Sequence, residues 1–132
     1  MITDESDKLL YKELTFKIIG ALFKVHNLLG NSLDEKYYQR ALAKEFEILG
    51  LTFKREQKVK LEYEGVDIGD RYLDFVIGDK VILETKTIPQ ITNKSLTQLI
   101  SYLKSTKLRV GILANFRTER LSYRRVVNPL IR

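Results

Sequence analysis

The sequence predicts an α/β fold, a central mixed β-sheet with helices packed against it. Three observations lead there. The N-terminal third carries apolar residues at spacings of three and four, the period of an amphipathic helix. From Gln57 onward the pattern changes to alternation and to short apolar runs, as half-buried and central strands show. One more helical stretch then separates two strand-like runs. The resulting order, α-α-β-β-β-α-β with a possible last strand, suits a mixed sheet with helices on it.

Taken in order, a first helix is expected over residues ~5–29, with Leu10, Leu14, Ile18, Leu22, Val25 and Leu29 along one stripe. Gly30 and Asn31 interrupt it. A second is expected over ~33–49, with Leu33, Tyr37, Ala41, Leu42, Phe46 and Leu49 inward, Ser32 as N-cap and Gly50 just past its end. Gln57 to Glu64 alternates apolar and polar residues, and Glu64-Gly65 reads as a turn. Tyr72 to Ile77 and Val81 to Lys86 form a hairpin around Gly78-Asp79 and, being strongly apolar, take central places in the sheet. Pro89 closes that segment. A short helix over ~93–105 turns Leu96, Leu99, Ile100 and Leu103 inward. Leu108 to Ala114 is a buried strand, and Tyr123 to Val127 an edge strand.

A chain of 132 residues suits a single domain spanning 1–132. It has no cysteine and one histidine, His26, which excludes disulfides, thiolate chemistry and a histidine-rich zinc site. A catalytic metal would have to use oxygen ligands, favouring magnesium or manganese. His26, beside the stripe of the first helix, is expected to be structural. No apolar run nears the ~20 residues of a membrane span. Met1 to Lys8 are polar and acidic, unlike a signal peptide, so the expected location is the cytoplasm.

The net charge of +6 is unevenly placed. From Lys104 to Arg132 there are eight basic residues and one acid, while the remaining 103 residues carry 15 basic and 16 acidic ones. Such a stretch attracts polyanions by releasing counterions; a solvated charged face is the plainer alternative. Lys104, Lys107, Arg117, Arg120, Arg124 and Arg125 are the nucleic-acid-binding candidates.

The strongest chemical signal is Asp74, Glu84 and Lys86. Glu84 and Lys86 lie two apart in a strand and share a face. Asp74 depends on the hairpin. A two-residue loop would pair it with Leu83 and send Glu84 to the other face, whereas a three-residue loop (Gly78, Asp79, Lys80) or one bulge would set it opposite Glu84. Both acids interrupt apolar runs, where charge is rare unless paired or metal-bound. Two close carboxylates repel, a divalent cation relieves that repulsion, and a neighbouring ammonium can orient water and offset growing negative charge. A surface salt bridge is the plainer reading of the same spacing.

The chain resembles the small GxxExxY proteins of the PD-(D/E)XK nuclease superfamily. Ser32-Leu33-Asp34-Glu35-Lys36-Tyr37-Tyr38 aligns with the naming motif, with Ser32 in the glycine position, Glu35 as its Glu and Tyr38 as its Tyr. Asp74, Glu84 and Lys86 match the D…(D/E)xK signature, and Gln98 to Tyr102 matches QxxxY. The resemblance implies a restriction-endonuclease-like αβββαβ core. It also implies metal ligation by Asp74, Glu84 and the Thr85 carbonyl, and water positioning by Lys86. Glu35 would be an outer or second-metal carboxylate, and Gln98 and Tyr102 would contact DNA or steady the site. Plainer roles stand beside these: Ser32 and Glu35 also spell a capping box, and the alternatives for Gln98 and Tyr102 are a solvated helix residue and a core-edge aromatic. The function implied is magnesium- or manganese-dependent hydrolysis of nucleic acid, chiefly DNA. The alternatives are a homodimeric resolvase of branched DNA and a non-catalytic nucleic-acid-binding or protein-interaction module.

Overall fold

The computed structural model describes residues 11–130. The first six positions expected in the opening helix, Leu10 among them, and Arg132 of the basic stretch lie outside the described residues, as does the polar segment Met1 to Lys8. Helix α1 spans Lys12–Leu29 and α2 Glu35–Ile48; strands β1 (Phe53–Tyr63), β2 (Val66–Ile77) and β3 (Val81–Lys86) follow, then α3 (Asn93–Thr106), β4 (Val110–Asn115) and β5 (Ser122–Val127). The strands form one sheet in the order β1-β2-β3-β4-β5. β3 and β4 run parallel, joined by α3, and the other neighbours are antiparallel. The expected α/β architecture and its element order are those observed.

Both faces of the sheet are covered. Ile18, Leu22 and Val25 of α1 and Tyr38, Leu42 and Phe46 of α2 pack on Phe75, Ile77, Leu83 and Ile112. On the other face Leu99, Tyr102 and Leu103 of α3 pack on Val59, Leu73, Val76, Ile82 and Leu113. The inward stripe of α2 is therefore 38-42-46; Tyr37, expected inside, is exposed together with Leu49, and Leu29 of α1 is also outside. In α3, Tyr102 takes the place expected for Ile100, which is half-buried.

The α2 termini correct one expectation and meet another. Asp34, not Ser32, occupies the N-cap, and no side chain caps the helix, so the capping box does not form. At the other end Gly50 (φ 72°) bonds to Glu47 and Leu51 to Phe46, the paired closure that a left-handed glycine permits.

β1 and β2 are longer than expected. Their outer part, with Glu62, Asp67 and Gly69, forms an exposed two-stranded ribbon broken by a bulge at Leu61/Glu62. β2 pairs with β3 only through Phe75↔Leu83, Val76↔Ile82 and Ile77↔Val81, so the ribbon runs on beyond the C-terminal end of β3. No helix of the described residues is long and apolar enough to cross a membrane.

Candidate active site

The β2–β3 connection is the three-residue loop. Ile77 pairs with Val81, leaving Gly78, Asp79 and Lys80 as the turn, with Gly78 (φ 61°) and Asp79 (φ 55°) both left-handed. Continued from that register, Asp74 falls opposite Glu84. The ladder opens at this step. The Asp74 N–H donates to Glu84 Oε2 at 2.7 Å, and Asp74 Oδ2 accepts the Thr85 N–H at 2.8 Å. The strand is irregular here: Leu73 and Phe75, two apart, pack on opposite faces of the sheet. On β1, Glu56 adopts φ 51° and the β1–β2 pairing skips it and Asp74.

Thr85, fully buried, is the hub of the α2 side. Its hydroxyl receives Gln39 Nε2 at 2.9 Å and faces Asp74 Oδ2 at 3.1 Å and Glu35 Oε1 at 3.3 Å. One hydroxyl proton cannot serve both carboxylates at once. Glu35 and Gln39 are one helical turn apart and so reach the site together. Gln39 in turn accepts from Arg55 Nη2 at 3.4 Å, and that guanidinium lies over the Phe75 ring at 5.3 Å. On the α3 side, Lys86 Nζ donates to Gln98 Oε1 at 3.4 Å, and the Tyr102 hydroxyl accepts from Arg71 Nε at 3.3 Å. Tyr102 is 4% exposed, deeper than the core-edge aromatic expected.

The charges are poorly matched. Burial, then the charge of Asp74, pushes Glu84 from the usual 4.5 to about 8. Burial raises Asp74 too, although hydrogen bonds from Thr85 oppose the shift. Glu35 is raised by burial and by Asp74. Three carboxylates thus face one ammonium, Lys86. Among the described residues, no three such side chains already surround a cation-sized point; Asp74 and Glu84 form the tight pair, with Glu35 beyond Thr85. The donors fit a hard divalent cation, being oxygen-only and short of positive charge.

The end of β3 is fastened from β4. Phe116 N–H donates to the Lys86 carbonyl at 2.9 Å, and the buried Asn115 side chain bonds both the N–H (3.1 Å) and the carbonyl (2.8 Å) of Ile88. His26 is structural as expected, its Nε2 3.0 Å from the Thr118 carbonyl. That acceptor requires the proton on Nε2.

The six basic candidates do not form one stripe. Arg117 and Arg120 follow the end of β4 and Arg124 lies opposite Leu113, at the end of the sheet that holds Glu84 and Lys86. Lys104 and Lys107 sit at the end of α3, by the start of β4, about 17 Å away along the strand. The physical reason is the parallel crossover, in which α3 carries the chain back the length of β3. Arg125 lies opposite Ile112, midway. Gln39, Arg55, Arg71 and Asn115 escaped the sequence reading. Gln39 alone had a signal, its one-turn spacing from Glu35.

Neither curated proteins nor solved structures yield a match to this chain. A family model described as the PD-(D/E)XK nuclease superfamily matches residues 12–126, and with it the αβββαβ order and the Asp74–Glu84–Lys86 cluster agree: the chain belongs to the PD-(D/E)XK nuclease superfamily.

Proposed function

We propose that this protein is a metal-dependent nuclease that hydrolyses phosphodiester bonds in DNA, with Asp74, Glu84 and Lys86 at its centre. The observation that carries the reading is the interlocked Asp74–Glu84 pair at the open end of the β2–β3 ladder, with Lys86 on the same strand face as Glu84. Asp74, Glu84 and the Thr85 carbonyl would hold magnesium or manganese. When bound, the cation supplies charge neutralisation at the phosphate and a more acidic water. Lys86, steadied by Gln98, orients the attacking water and offsets charge on the phosphate. Glu35 serves as an outer carboxylate, its pKa raised by burial and by the charge of Asp74. Arg117, Arg120 and Arg124 engage backbone phosphates near the cut, and Lys104, Lys107 and Arg125 those further along.

The same reading takes the chain as one nuclease domain of the GxxExxY type, working in the cytoplasm. A non-catalytic module would be favoured by Asp74 and Glu84 held apart; against it stands their interlocking through the Asp74 and Thr85 N–H groups. The test is a panel of labelled single-stranded, duplex, flapped and four-way DNA with magnesium, manganese or chelator, run beside Lys86→Ala. Metal-dependent cutting lost in the variant is the expected result. Preference for four-way DNA, with a dimer in solution, would assign a resolvase. Retention of DNA without cutting under any condition would assign the binding module.

A further inference from the structure

We infer that Arg71 binds a backbone phosphate of the substrate strand beside the cut, and that Tyr102 acts as the positioning residue that holds it there. The inference rests on the nuclease reading above and adds to it a phosphate ligand that no sequence motif indicates.

Arg71 projects from the exposed part of β2, where the strand has left β3 and pairs with Val59 of β1. Its Nε donates to the Tyr102 hydroxyl, and among the described residues neither Nη1 nor Nη2 has a hydrogen bond or an acidic partner. The other basic residues of this ribbon differ: Lys58 is paired with Asp70 and Lys60 with Asp67. Tyr102 itself is nearly buried, packed with Leu73, Val76 and Leu99. A flexible exposed side chain is therefore tethered by one nitrogen to a fixed point in the core, which lowers the entropy lost when its other nitrogens bind. What remains is a planar fork of N–H donors, the geometry that matches two phosphate oxygens.

Its surroundings explain the need. Glu84 lies near enough to act electrostatically on Arg71, and Gln98, one turn before Tyr102 on α3, holds Lys86. A strand approaching Lys86 meets the field of Glu35, Asp74 and Glu84. A fixed guanidinium on the rim of that field offsets the repulsion and sets the strand's position. Arg55, on the opposite sheet face, is instead engaged by Gln39 and the Phe75 ring. Tyr102 then acts through Arg71 and does not touch DNA.

The experiment is equilibrium binding of fluorescent single-stranded and duplex oligonucleotides to the full chain in calcium, across a salt series, with a denaturing gel to verify that the probe stays intact. Arg71→Ala, Tyr102→Phe and the double variant are compared with the parent. Arg71 is exposed and Phe keeps the buried ring, so both variants retain the fold. Arg71→Ala is expected to lower the slope of log affinity against log salt by about 0.7–0.9, one phosphate's worth, and to weaken binding about three- to tenfold at moderate salt. Tyr102→Phe should weaken binding in the same direction by less, and should add nothing in the Arg71→Ala background. That non-additivity is what a merely structural role for the hydroxyl would not produce. An unchanged slope in Arg71→Ala overturns the phosphate ligand while leaving the nuclease reading intact. Additive effects of the two substitutions overturn the positioning role of Tyr102. A parent protein that binds no oligonucleotide overturns the nuclease reading, and this inference with it.

Discussion

Asp74 and Glu84 each take over a backbone bond at the other's strand: Glu84 Oε2 accepts the Asp74 N–H at 2.7 Å, while Asp74 Oδ2 accepts the N–H of Thr85, the residue after Glu84, at 2.8 Å. Side-chain carboxylates stand where a continuing ladder would use backbone carbonyls. Opening the ladder thus both places the two acids and fixes their rotamers.

Replacing either acid by its amide tests the tension in that pair. Asp74→Asn and Glu84→Gln keep an acceptor for the backbone N–H but remove a buried negative charge. Metal-dependent cutting should fall by ~100-fold or more, at or beyond the upper end of what outer-shell partners cost. In chelator at about pH 8, where both states of the parent carry substantial charge, each variant should melt several degrees higher than the parent. Calorimetry checks this; a lower melting temperature in both variants would show that the pair does not repel.

The pH dependence of stability follows from the same groups. The folded pKa of Glu84, about 8, lies above its ordinary 4.5, so the unfolded chain loses its proton first. The stability this group contributes is fully present below ~4.5 and is lost as pH rises through ~8. Asp74 and Glu35 are raised as well and act in the same direction. Metal-free protein should therefore melt lower at pH 8.5 than at pH 5.5, and Glu84→Gln should flatten that slope. Added magnesium should stabilise more at the higher pH, since it binds the deprotonated ligands. A metal-free melting temperature that rises over this interval would contradict the raised values.

Much of this site could be read from the chain because its elements are periodic. Alternation in β3 fixed Glu84 and Lys86 on one face, and the choice of turn length was reduced to two alternatives that the Ile77↔Val81 pairing resolves. The rest depends on contacts between distant segments. Nothing in the spacing of Arg71 and Tyr102, 31 residues apart, announces their bond. The split of the basic residues between two ends of the sheet appears only once α3 reverses the chain. The Ser32–Glu35 capping box had a valid local pattern, yet the loop from Gly30 to Asp34 is shaped instead by Asn31, whose side chain donates to the distant Arg117 carbonyl, and by Tyr38.

Tyr38 is fully buried, stacks on Phe116 with centroids 4.5 Å apart, and donates its hydroxyl to the Gly30 carbonyl at 2.6 Å while accepting the Leu33 N–H at 3.3 Å. These bonds fix the loop that delivers Glu35 at the start of α2. Tyr38→Phe should keep the stacking and cost about 0.5–1.5 kcal/mol, because the Gly30 carbonyl and the Leu33 N–H lose their partner. Urea denaturation gives that figure, and hydrogen exchange should show faster loss of protection at Leu33 than in β4. Unchanged stability would mean that water replaces the hydroxyl without cost.

Gly111 tests the packing of α3 on the sheet. A Cβ there would come within 2.8 Å of Leu99 Cδ1 and 3.0 Å of its Cγ, and Leu99 is fully buried beneath the helix. Gly111→Ala should destabilise by about 1–3 kcal/mol through overpacking. Gly111→Ala combined with Leu99→Ala should cost less than the sum of the two single changes, since the smaller side chain makes room for the methyl. Strict additivity in a double-mutant cycle would place the strain elsewhere.

Thr85→Val isolates the hydroxyl that links α2 to the carboxylate pair. The substitution removes the acceptor of Gln39 and the single donor facing both Asp74 and Glu35, while the backbone N–H to Asp74 and the backbone carbonyl remain. Stability should fall by about 0.5–1.5 kcal/mol, since the half-buried Gln39 amide loses a partner. The Thr85 hydroxyl holds down the pKa of whichever of Asp74 and Glu35 receives its proton; without it that carboxyl rises further. The acid limb of the pH–rate profile should therefore move to higher pH, with activity at pH 6 reduced more than activity at pH 9. Thr85→Ser, which restores the hydroxyl, should return the limb toward its original position. A limb that stays in place in Thr85→Val would mean that neither Asp74 nor Glu35 must be ionised for the reaction, and would remove Glu35 from the site.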